Sequence, residues 1–286
     1  MLDLLFEPWT SPFMIRALLA IIFLSLMCSS LSAYIILRRM ALVGDALAHT
    51  TLPGIVICHA KGWSLFLGAF AADIVTALGI AWLSRRKQME EDTAMGIFYS
   101  AMFALGVILM AQFNVMTGLN HILFGSILEV SFGEVVFLAG MTLFILVVMA
   151  LIHKELELAS FDETYARHVG VRPDFIRYLL LIMIALCVVS CVRYVGVVLT
   201  SALLVTPAAT AAMLTKDLKK MIGLSMVISF VSGLSGLYLS YYQNWPSGAA
   251  IVAAGAIVFL IIKGYSEIFK WRDQVKKDHR DDSCHD

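Results

Sequence analysis

The sequence predicts an all-α transmembrane bundle of eight or nine spans, and three observations carry that prediction. Of 286 residues, 60% are hydrophobic and 15% are charged, with a mean hydropathy of +0.86. A water-soluble chain of this length needs more polar surface, so lipid is its solvent. The apolar runs are near the roughly 20 residues that cross a hydrocarbon core about 30 Å thick. They also fail to alternate apolar with polar residues, which excludes a membrane barrel.

In chain order, spans are expected at about 12–37, 41–60, 64–84, 93–112, 133–152, 174–192, 195–214, 221–242 and 247–264. No basic region precedes the first apolar run in Met1-Leu-Asp-Leu-Leu-Phe-Glu7, so a cleavable signal peptide is not expected. The segment at 195–214 decides between eight and nine spans. It follows its predecessor after only Arg193 and Tyr194 and carries Pro207, a pattern that also fits a short broken helix lining a cavity.

Lys and Arg collect on cytoplasmic loops and so set the orientation. The clusters are Arg38-Arg39, Arg85-Arg86-Lys87, the segment Lys154 to Arg177, Lys216 to Lys220, and the tail from Lys263. With nine spans all of them share one side, and of 21 Lys and Arg only Arg16, Lys61 and Arg193 fall opposite. The N-terminus is then outside and the C-terminus cytoplasmic. Residues 1–269 form one membrane domain, and the charged segment 270–286 reads as a disordered cytoplasmic tail. A formal net charge of +0 says nothing about partners.

The most informative segment is Gly44-Asp45-Ala-Leu-Ala-His49-Thr-Thr-Leu-Pro53-Gly54. Asp45 and His49, one helical turn apart, share a face where carboxylate and imidazole reach a single ion. Ionisable groups at membrane depth are costly, so they face a partner or a wet cavity. Pro53 lacks the amide hydrogen that would bond the His49 carbonyl, and Gly44 and Gly54 admit close backbone approach. An oxygen and nitrogen donor pair suits manganese, iron or zinc. One plainer reading stands beside this one: Asp45 caps a helix that starts near the cytoplasmic face after Arg38-Arg39, and His49 is hydrogen-bonded to a neighbouring span.

Other candidates are weaker. His121 lies beside Asn120 on the outer side, with Glu129 and Glu134 following, and reads as an outer gate or an interfacial histidine. Asp73 is an intramembrane carboxylate facing either the pathway or another helix. On the cytoplasmic side, a helix at about 160–170 would align Phe161, Tyr165 and Val169 as one apolar stripe among charges, stopped by Gly170 and Pro173. Such a helix suits the groove of a soluble partner or a membrane surface. Cys28, Cys58, Cys187, Cys191 and Cys284 show no disulfide or zinc spacing and read as packing residues.

Together these residues resemble the permeases of ABC-type manganese, zinc and iron importers. Gly44 to Gly54 looks like their pathway segment. His121-Ile-Leu-Phe-Gly125 resembles the stretch before the middle helices, and Asp162 to Gly170 resembles the ATPase-coupling loop. Val195 to Thr210 and Trp245-Pro246-Ser-Gly248 extend the likeness over nearly the whole chain. The resemblance implies a type II importer-like fold in the bacterial cytoplasmic membrane. It also implies a homodimeric permease, two cytoplasmic ATP-binding subunits, and an extracytoplasmic protein that delivers the metal. It carries Asp45 and His49 over as metal contacts, and Phe161, Asp162, Glu163, Tyr165, Ala166 and Gly170 as the coupling segment. No cofactor is expected to stay bound; the divalent ion is cargo. One departure is Gly118, where many relatives carry an acidic residue.

No G-x-x-x-x-G-K-S/T motif occurs, so ATP hydrolysis is expected from another subunit. A proton-coupled secondary transporter is the alternative, with Asp45 or Asp73 exchanging protons. An intramembrane hydrolase is disfavoured by the lack of H-E-x-x-H.

Overall fold

A computed structural model describes residues 12–84, 91–113, 127–243 and 245–282. Its helices are α1 (Pro12–Leu37), α2 (Val43–Ala60), α3 (Leu65–Ser84), α4 (Glu91–Phe113), α5 (Phe132–Phe161), α6 (Glu163–His168), α7 (Pro173–Val195), α8 (Val197–Leu214), α9 (Leu218–Gln243) and α10 (Ser247–Asp282). A single 3₁₀ turn, Ile127–Glu129, precedes α5. In lipid a backbone must satisfy its own hydrogen bonds, and helices do so within each segment. Several buried hydroxyls follow the same rule: Thr50, Thr51, Thr76, Ser84 and Thr142 each donate to a carbonyl one turn back.

Eight of these helices are long and apolar enough to cross a membrane. The helix that falls short is α2, and not the segment at 195–214. Its 18 residues include Asp45, His49, Thr50, Thr51, Pro53 and His59, which dilute its hydropathy. Tertiary packing compensates, because α2 lies against α3 and α4 and turns much of its surface to protein. The break expected before 195–214 is one residue wide: Gly196 adopts φ 83°, a left-handed conformation that glycine tolerates, and α8 restarts at Val197. Pro207 sits inside α8 without ending it.

Contacts at the helix ends support the alternating path. Arg38 Nε at the end of α1 donates to Ser160 Oγ at the end of α5 (3.0 Å), and Arg177 near the start of α7 donates to the Ala81 carbonyl near the end of α3 (3.1 Å). The ends of α1 and α5 thus lie together, as do the end of α3 and the start of α7, as the alternating path requires; Arg85-Arg86-Lys87 lie outside the described residues. At the other end, the Ile127 amide meets Ser247 Oγ at the start of α10 (3.4 Å). Centrally, α1 and α7 are buried over 72% and 78% of their apolar windows, whereas α4 is buried over only 22%, so α4 lies at the rim.

Two expected boundaries shift. The span at 133–152 continues as helix to Phe161 because Lys154, Glu155, Leu156, Glu157 and Leu158 are good helix formers. Thirty residues make a helix about 45 Å long, so about 15 Å of α5 projects beyond a hydrocarbon core. Within that projection His153 joins the Tyr34 hydroxyl through Nδ1 and faces Glu157 through Nε2 at 3.6 Å, tying α1 to α5. The charged tail also differs from the expectation of disorder: α10 runs on to Asp282, extending a helix already nucleated by the span.

Glycines bring α2 against its neighbours. A Cβ on Gly54 would collide with the Gly68 carbonyl of α3, and one on Gly106 of α4 would meet Pro53. We predict that Gly54→Val costs about 3 kcal/mol or more, at the upper end for overpacking, because backbone atoms cannot rotate aside. A thermal melt of the purified protein in detergent checks this, and an unchanged midpoint would refute it.

Candidate metal site

Asp45 lies in the first turn of α2 and His49 one turn on, held 3.7 Å apart between Oδ1 and Nε2. The capping alternative does not describe this helix: its N-cap is Leu42, which makes no side-chain cap bond. Asp45 is half exposed, while His49 is largely enclosed, at 51% and 19% side-chain exposure. Tyr99 and Phe103 of α4 present their rings to the imidazole in edge geometry, at centroid distances of 5.3 and 5.5 Å. This aromatic wall fixes the ring plane without supplying a hydrogen-bond partner.

His49 Nδ1 is buried and has no hydrogen-bond partner. The alternative of a bond to a neighbouring span is therefore unmet at this nitrogen, which leaves a buried polar atom for water or an ion to satisfy. Because Pro53 cannot donate, the His49 carbonyl also lacks its usual i+4 partner. Carboxylate oxygen and imidazole nitrogen thus meet across one turn of α2, and the unbonded His49 carbonyl opens toward the next turn. The set contains no sulfur and matches the ligand preferences of divalent manganese, iron and zinc.

The other candidates do not join this pair. Asp73 is fully buried on α3, where Oδ1 accepts from Thr50 Oγ1 at 3.1 Å and Oδ2 has no partner. Thr50 follows His49 directly, so it points about 100° away around the helix, and Asp73 supports a different face of α2. Gly44 meets the Leu204 side chain of α8, with Cδ1 3.0 Å from a notional Cβ. His121 lies outside the described residues.

The cytoplasmic segment is shorter than the expected helix at 160–170. Phe161 ends α5, and Glu163–His168 form α6. Asp162 is its N-cap, accepting the Thr164 and Tyr165 amides at 2.9 Å each. Gly170 lies beyond the helix at φ 90°. Phe161, Tyr165 and Val169 are all exposed, as the stripe requires, but Ala166 is fully buried in the bundle core.

The family model described as the ABC 3 transport family matches residues 10–265. This chain belongs to that family. Among its ABC 3 relatives is a probable iron transport system membrane protein of Haemophilus influenzae, 39% identical, with 94% of this chain and 99% of that protein covered. The manganese transport system membrane protein MntC of Listeria monocytogenes is also 39% identical, covering 87% of this chain and 89% of its own length. Among solved structures, the PsaBC complex of Streptococcus pneumoniae with Fab superposes with a TM-score of 0.80 at 34% identity, over 91% of this chain and 94% of that one. The ABC 3 chain is a multi-pass permease subunit of the bacterial inner membrane.

One cluster escaped the sequence reading. Cys28 of α1 meets Cys187 and Cys191 of α7, each at an Sγ distance of 3.7 Å. The four-residue spacing of Cys187 and Cys191 was the available signal; no local pattern points to Cys28.

Proposed function

We propose that this permease carries a divalent transition metal, manganese or iron, into the cell, with Asp45 and His49 as contacts in its pathway. The observation that carries the reading is His49, whose Nε2 faces the Asp45 carboxylate at 3.7 Å and whose buried Nδ1 has no hydrogen-bond partner. The manganese and iron transport named for its relatives supports the choice of cargo. Zinc accepts the same donors and belongs among the ions to be assayed.

A transport site must hold an ion and release it. Two side chains and a carbonyl leave the remaining positions of a six-coordinate ion to water, which favours fast exchange. A closed cage of protein ligands would hold the ion too tightly to pass it on. Asp45 is half exposed on the single chain, so in a permease dimer it would face the path between the two copies, with water completing the shell of the ion.

Energy enters from outside the chain. The exposed residues Phe161, Tyr165 and Val169, beside the groove lined by Arg167, Arg172 and Phe175, suit docking of a cytoplasmic ATP-binding subunit. Closure of that subunit on ATP would push α6, which joins α5 directly to α7 and so reaches the bundle centre. An extracytoplasmic binding protein delivers the ion and supplies most of the selectivity.

The test is uptake by proteoliposomes containing the permease with its ATP-binding subunit and binding protein. Manganese or iron should accumulate only with internal ATP, and a proton gradient should not substitute. Uptake by the permease alone under a proton gradient would overturn the proposal.

A further inference from the structure

The geometry points to a second metal site in this chain, a three-sulfur site for a soft monovalent cation, Cu(I) by its chemistry, formed by Cys28, Cys187 and Cys191. The three ligand atoms lie within 4.8 Å of one another, and all three residues are buried. They come from the two most enclosed helices, α1 and α7.

The spacing fits metal coordination. Metal–sulfur bonds of about 2.3 Å set sulfur atoms about 3.8 Å apart at tetrahedral angles and about 4.0 Å apart at trigonal ones. The two closest pairs here stand at 3.7 Å, so an ion enters with shifts of a few tenths of an ångström. A disulfide, at about 2.05 Å, requires a much larger approach.

Ligand softness and ligand number select the ion. Three sulfurs without nitrogen or oxygen are a soft set, disfavouring manganese and divalent iron, the cargo proposed for Asp45 and His49. Structural zinc takes four ligands, whereas Cu(I) is satisfied by three. Cysteine binds metal as the thiolate, so each sulfur–copper bond forms as that thiol releases its proton to solvent. Loading needs α1 and α7 to part briefly, and the bound ion then clamps them together.

Anaerobic titration of the full chain in detergent tests this, using Cu(I) supplied against a chromogenic chelator. Replacing Cys58 and Cys284 by Ser leaves the trio as the only thiols. The expected result is one Cu(I) per chain retained against the chelator, an X-ray absorption shell of sulfur alone, and a raised thermal midpoint. Cys28→Ser, Cys187→Ser and Cys191→Ser should each weaken retention at least tenfold. Complete loss of copper to the chelator, equal retention by the triple Ala variant, or nitrogen or oxygen in the metal shell would overturn the site. If the triple variant fails to fold, the absorption shell of the parent chain still decides. Manganese uptake by the Cys28→Ser variant in the absence of copper should match the parent, which separates this site from the transport pathway.

Discussion

Replacing His49 by Phe is expected to reduce ATP-driven metal uptake by more than about tenfold while leaving the fold intact. The imidazole stands against Tyr99 and Phe103 at 5.3 and 5.5 Å, an environment that a phenyl ring fills equally well. The substitution removes a buried nitrogen with no partner, so desolvation cost falls even as the ligand is lost. Stability and transport should therefore move apart. Losing an outer-shell partner of a metal ligand typically costs 10–100-fold in affinity or activity, and removing the ligand itself should cost no less. Asp45→Asn should show the same loss with little change in melting temperature, since the half-exposed carboxylate makes no cap bond. Uptake of radiolabelled manganese by proteoliposomes of the full assembly measures both. Normal rates in both variants would remove these residues from the mechanism.

What the sequence made legible followed from periodicity and local spacing. Asp45 and His49 could be paired in advance because one turn of helix separates them. The exposure of Phe161, Tyr165 and Val169 follows their spacing, but the single helix expected to carry them is broken at Asp162, which leaves Phe161 on α5. Relations between distant helices were not legible: Cys28 stands 159 residues from Cys187, and Tyr34 stands 119 from His153. Nothing local encodes either meeting; only the packing of α1 against α7 and α5 creates them. The span at 41–60 was expected and is present as α2, but the doubt over eight or nine spans was placed on 195–214, whereas α2 is the helix whose hydropathy falls short. Hydropathy measures what a helix would expose to lipid, whereas α2 turns much of its surface to α3 and α4. Asp73 shows the limit of reading charge alone: its membrane depth was evident, but its face was set by Thr50 and the approach of α3.

The second large effect is expected at α6, where position separates two kinds of failure. Phe161, Tyr165 and Val169 expose 61%, 57% and 59% of their surface. If they anchor the ATP-binding subunit, truncating Tyr165 to Ala should cost about 2 kcal/mol of docking energy, or roughly 30-fold in affinity. The permease itself should melt normally, because these side chains support nothing beneath them. Ala166 behaves oppositely. It is fully buried, its amide bonds to the Asp162 carbonyl at 3.0 Å, and its own carbonyl accepts from Val171 at 3.0 Å. Ala166→Pro removes the first bond and crowds the turn that Asp162 caps, costing about 3 kcal/mol or more locally. Assembly should be abolished together with ATP-driven uptake, whereas Asp162→Ala, which removes only the cap, should cost about 1 kcal/mol and weaken both partially. Co-purification of the ATP-binding subunit with each variant orders these effects. An intact complex with Ala166→Pro, or undiminished binding with Tyr165→Ala, would move the docking surface away from α6.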